Sequence, residues 1–252
     1  AFIGGILTVK ELYGLPYATG GIVVAGFLYL VLAGLVKFYG VQKVRSFFPP
    51  VVTGSMIIVI GLTLAPVLIN NNIVSGDSGA LGQRWIIAMA SVTAMIIVSI
   101  FTKGFFKMLP ILFGIAAGYV AAAAYGMVNL TAVSTAQWLE VPSFFLPRFS
   151  LGAIGLIAPI ALVTFMEHIG DVTTNGAVVG KDFMTDPGLD RTLIGDGLAT
   201  MFAGLIGAPA NTTYSENTAV LAVTKNYNPA VLKIAAVMAI ALSFIGKFGS
   251  LI

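Results

Sequence analysis

Long apolar runs separated by short polar breaks dominate the chain. A membrane-crossing helix takes ~20 mostly apolar residues, and stretches of that kind lie at 17–36, 50–69, 85–101, 108–128, 150–170 and 229–252. Lys37 closes the first, the Pro49–Pro50 turn opens the second, and Trp85 and Lys103 bracket the third. Residues 1–9 are apolar but too short to cross, so they read as the tail of a severed span. Both ends of the sequence, Ala1 and Ile252, fall within apolar runs, and the whole reads as an internal piece of a longer protein. Residues 130–148, with Trp138, Pro142 and Pro147, read as an interfacial excursion.

After residue 170 the pattern degrades. Residues 171–190 hold Asp171, Lys181, Asp182, Asp186 and Asp190 and a Pro187–Gly188 turn, and read as a polar connection. Residues 191–207 are apolar apart from Arg191 and Asp196 and are broken by glycines. Residues 208–225 (APANTTYSENTAVLAVTK) are half polar and too short to cross as one helix. Pro209 and the β-branched Thr212–Thr213 pair favour extended backbone, and a helix is expected to start at Ser215 or Glu216, with the acid in its first turn.

Composition turns these runs into a class. Of the 252 residues 58% are hydrophobic and 9% charged, and the mean hydropathy is +0.99. A soluble domain carries about 25% charged residues, so the chain cannot cover a water-facing surface. A soluble enzyme, a disordered chain and, with no cysteine, a disulfide scaffold are excluded; the lipid bilayer is the partner. The net charge of +3 is too small and scattered for nucleic acid. Basic residues gather in alternate connections: Lys37, Lys43 and Arg45, then Lys103 and Lys107, then Lys181 and Arg191, then Lys225 and Lys233. By the positive-inside bias these face the cytoplasm, and the alternation closes only if 208–225 traverses the membrane as a broken unit.

Ionisable residues within such segments cost roughly 2.5–3.5 kcal/mol each on insertion scales and face protein or a water-filled cavity. Here they are Glu167, His168 and Asp171, then Asp196, then Glu216. Glu167 and Asp171 share a helix face at i,i+4, and His168 reaches Asp171 at i,i+3. The simpler reading makes Glu167–Asp171 a helix end at the cytoplasmic headgroups. The 209–217 stretch is the other cluster, since irregular backbone at membrane depth survives only against protein or a cavity, and transporters bind solutes at broken segments. No metal site is expected, because Glu-His-x-x-Asp is not the HExxH pattern.

Taken together, Glu167-His168-Ile169-Gly170-Asp171, Lys181-Asp182, Asp186-Pro187-Gly188-Leu189 and Asn211-Thr212-Thr213-Tyr214-Ser215-Glu216-Asn217 through Thr224-Lys225 resemble the nucleobase–ascorbate transporter family, nearest its bacterial uracil permeases. The resemblance covers essentially the whole chain. It implies an all-α polytopic fold of fourteen segments in two inverted seven-segment repeats, with short strands in the third and tenth. It implies a core domain at 1–36 and 150–252 (the tail of segment three, segment four and segments eight to eleven). A gate domain would occupy 48–148 (segments five to seven and an interfacial segment), with homodimerisation through the gate.

By the same resemblance Glu167, Tyr214, Ser215 and Glu216 bind substrate, and Asp171, His168 and Asp196 couple a cation; no cofactor or metal is implied. A carboxylate suits this task, since uracil presents N–H donors that carboxylates accept. Asp171 serves either H⁺, the first expectation, or Na⁺. Ala219 and Ser215 stand where the family usually has Gly. The implied function is uracil import by symport across a bacterial cytoplasmic membrane; purine or ascorbate transport is the alternative. An intramembrane enzyme using Glu167 and Asp171 as acid and base is remote, lacking a recognisable nucleophile or metal.

Overall fold

A computed structural model describes residues 2–75 and 78–251, excepting the side chains at 50, 78, 215 and 216. In chain order its helices are α1 (Ile3–Leu12), α2 (Leu15–Tyr39), α3 (Val41–Phe47), α4 (Pro50–Ile69), α5 (Leu81–Phe101), α6 (Pro110–Ala124), α7 (Thr131–Thr135), α8 (Leu151–Ile157), α9 (Ile160–Val179), α10 (Leu189–Leu205), α11 (Ser215–Thr224), α12 (Pro229–Ser243) and α13 (Gly246–Leu251). Among the described residues four stretches are long and apolar enough to cross a membrane: Leu15–Tyr39, Val51–Val74, Leu81–Phe101 and Leu151–Val179.

The chain divides into two compact units. The first comprises 1–67 and 143–218 and is built around α2. Gly14 and Gly40 bound that helix at φ 95° and 81°, and Pro16 sits in its first turn. Its buried residues Ala18, Ile22, Ala25, Tyr29, Ala33 and Val36 recur at helical spacing. They form one core cluster with Ala153, Ile157, Ala161, Phe165, Ile169, Leu189 and Leu193 from α8, α9 and α10. The backbones of α2 and α10 meet at Gly26 and Gly197. A Cβ on Gly197 would lie 2.9 Å from the Gly26 carbonyl oxygen, so both positions require glycine for this approach.

The second unit comprises 68–142 and 219–252. Here α5 packs on α6, with Gly114 at the contact: its added Cβ would stand 3.1 Å from the Ser91 carbonyl oxygen. Lys247 on α13 donates to the Val133 carbonyl of α7 at 3.0 Å and lies over the Trp138 ring. Asn228 caps α12 by accepting from the Ala230 amide, and Pro229 occupies the first turn.

Several sequence expectations change. The polar connection expected at 171–190 is helical as far as Val179, where α9 ends on Gly180 in the left-handed conformation. Asp171, Thr173 and Thr174 lie inside this helix; both threonine hydroxyls donate back to the carbonyls of Ile169 and Gly170, so they do not break it. The 108–128 run shortens to the 15-residue α6, and 229–252 divides between α12 and α13. No strand occurs among the described residues. Residues 208–214 are non-helical and α11 begins at Ser215. Extended backbone becomes a strand only where a second segment pairs with it.

Candidate functional site

A polar stripe runs along α9 at Thr164, His168, Asp171 and Asn175, spaced i, i+4, i+7 and i+11, and therefore on one helix face. Thr164, His168 and Asp171 are buried. Asp171 thus lies inside the helix rather than at its end. Glu167, one step round the helix, is half-buried.

The His168 ring is held on both edges. Nε2 lies 2.9 Å from Thr192 Oγ1, on α10. Nδ1 lies 2.8 Å from Thr213 Oγ1 and 2.8 Å from Asp196 Oδ2, and the Thr213 hydroxyl donates to that same carboxylate oxygen at 2.9 Å. A proton on Nδ1 would point at this carboxylate oxygen. The other Asp196 oxygen accepts from Asn211 Nδ2 at 3.2 Å, and Thr200 donates to the Asn211 carbonyl at 3.0 Å. Farther along α9, Asn175 Oδ1 accepts from the Thr218 hydroxyl at 2.9 Å.

These contacts tie the non-helical 208–214 stretch to α9 and α10. The sequence offers it few local partners, because Pro209 lacks an N–H and no strand neighbour is present among the described residues. Side chains from two helices therefore fix its course, as irregular backbone in an apolar setting requires.

Of the expected site residues, His168 and Asp196 meet directly, Asp171 shares their buried face, and Glu167 borders it. Tyr214 is exposed. The side chains of Ser215 and Glu216 lie outside the described residues; their backbone forms the start of α11. Sequence reasoning missed Asn175, Thr192 and Thr200, quoted Asn211 without giving it a task, and read Thr213 only as favouring extended backbone. The helical spacing of the polar residues at 164, 168, 171 and 175 was the available signal. A separate cavity of about 620 Å³ between α2, α3 and α9 is lined by apolar side chains such as Leu32, Phe47, Phe165 and Met166, with Lys43 at its edge. It lacks the paired donors and acceptors that a small polar solute needs.

Helices long and apolar enough to cross a membrane, with acids and a side-chain-held irregular segment packed among them, are the features of a multi-pass membrane protein. The chain belongs to the permease family, which its sequence matches over residues 1–252, the group of the nucleobase–ascorbate transporters. It is 40% identical over 250 residues to the probable uracil permease of Haemophilus influenzae, covering 99% of this chain and 60% of that protein. Identity to the uracil permease of Bacillus caldolyticus is 40% over 258 residues, covering 100% of this chain and 60% of the relative. For the uracil permease of Escherichia coli K12 it is 36% over 260 residues, covering 100% and 59%. The chain thus spans about 60% of the length of the curated relatives it matches.

Proposed function

We propose that the protein is a secondary active transporter importing uracil across a bacterial cytoplasmic membrane in symport with a cation, the proton first. The observation that carries this reading is the His168–Asp196–Thr213 network, with Asn211 on the second Asp196 oxygen. It sets the non-helical 208–214 stretch against the helix bearing Glu167 and leads into the helix start at Ser215–Glu216. The uracil permease names of the relatives support the substrate.

In this reading Glu167 and Glu216 accept from the two uracil N–H groups, backbone amides at the start of α11 donate to a uracil carbonyl, and Tyr214 and Ser215 flank the ring. Asp171, with His168 and Asp196 beside it, exchanges the coupled cation. Residues 1–36 and 150–252 act as core, carrying the site against a gate at 48–148, through which the protein dimerises.

Glu167→Gln and Glu216→Gln in the full-length protein test the assignment. Each removes a charge-assisted acceptor, so uracil affinity measured by calorimetry is expected to fall roughly 10-fold or more, with membrane insertion intact. Full-strength binding by both variants would overturn the site.

A further inference from the structure

We infer that Asn175 and Thr218, together with His168 and Thr213, form a two-point latch that fixes the register of residues 214–217 against α9 and so sets the affinity of the nucleobase site. The inference rests on the proposed transport reading and adds positioning residues to it.

Two hydrogen-bonded pairs join the same elements. His168 Nδ1 meets Thr213 Oγ1 at 2.8 Å, and Asn175 Oδ1 accepts from Thr218 Oγ1 at 2.9 Å. On α9 the anchors are about two turns apart, ~10.5 Å along the axis, and on the same face. On the other side they bracket Tyr214, Ser215, Glu216 and Asn217, the junction between irregular backbone and α11. A single anchor would leave that junction free to pivot, whereas two anchors on one rigid helix remove both pivoting and sliding. Thr218 and His168 are buried, so water does not readily replace either partner.

The partners are also matched for the task. Thr218 donates and the Asn175 amide oxygen accepts, so this anchor carries no charge and keeps its strength whatever the protonation of the acids between the two points. The first anchor is braced from behind, because Asp196 accepts from Thr213 and faces the same ring nitrogen. A site that must hold a planar ring between Glu167 and the start of α11 needs such fixed geometry, since misplacement of a binding group costs affinity directly.

The test uses the full-length protein carrying Thr213→Val, Thr218→Val, both together, and the matching Ser variants. Amide hydrogen exchange across 208–218 is read without substrate, and nucleobase affinity and thermal midpoint are read in the same preparations. The latch predicts faster exchange in this stretch and an affinity loss of about fivefold per Val substitution, larger when combined, with the Ser variants close to wild type. If a Val variant does not insert, Thr213→Ala and Thr218→Ala are read instead. Unchanged exchange, or faster exchange with wild-type affinity, overturns the latch. If the wild type ignores uracil and carries another nucleobase, the substrate assignment falls while the same variants, read with that nucleobase, still decide the latch.

Discussion

Arg45 and Asp182 show how little a well-made contact at the surface contributes compared with a buried one. One guanidinium nitrogen, Arg45 Nη2, donates to both carboxylate oxygens at 2.7 Å, joining α3 to the loop after α9. This hydrogen bond, aided by the guanidinium charge, holds the Asp182 carboxyl below its ordinary value of 3.8. The folded value being the lower one, the pair's stabilisation is complete above the ordinary carboxyl range and is lost as pH falls through the depressed value. Arg45→Gln is therefore expected to lower the thermal midpoint slightly at neutral pH, with the difference fading only below the ordinary value of 3.8 and vanishing once the depressed value is passed. A midpoint difference that persists in acid would mean that Arg45 acts through packing. The effect stays small because both side chains are about half exposed. His168 and Asp196 lie at a similar distance but are far more buried, and there the loss of one partner leaves the other desolvated.

At the scale of elements, legibility followed the contrast between apolar and polar stretches. The spans at α2, α4 and α5 stand out because no charged residue interrupts 17–36, 50–69 or 85–101. The end of α9 was misread because Asp171, Thr173, Thr174 and Asn175 look like a connection when counted, although their spacing is helical. Polar residues in a membrane helix follow the period of the protein they face, so their number misleads where their spacing does not. The start of α11 at Ser215 was legible from local chemistry alone. The partners of 208–214 were not, because Asp196 and Thr200 lie on a helix whose orientation no local pattern fixes. The glycine-rich α10 was read as a broken span, yet its glycines serve contact: Gly197 meets Gly26, and a Cβ on Gly204 would stand 2.8 Å from Val23. Gly197→Ala is expected to destabilise the protein by ~1–3 kcal/mol, since backbone must move to admit the methyl group. Gly195→Ala, with nothing within 4 Å of its Cβ, is expected to be neutral or slightly stabilising. Thermal unfolding of the two solubilised variants decides this; equal midpoints would refute the role of the seam.

For the whole molecule, the proposed symport predicts labelled uracil uptake that rises as external pH falls, needs no Na⁺, and yields to excess uracil but not xanthine. Uptake that depends on Na⁺ instead would make Na⁺ the coupled ion and leave the substrate assignment standing. Competition by xanthine would reassign the substrate. Asp196→Asn keeps an oxygen for the Thr213 hydroxyl but removes the charge facing His168, so it is expected to alter the pH profile of uptake more than it alters uracil affinity. The reverse pattern would make Asp196 a binding residue.

At Gly26 and Gly197 the backbones of α2 and α10 meet without a side chain between them. A contact of this kind has no rotamer of its own through which to give. The two helices are therefore braced directly on each other, and a displacement of α2 at Gly26 bears on α10 one residue from Asp196.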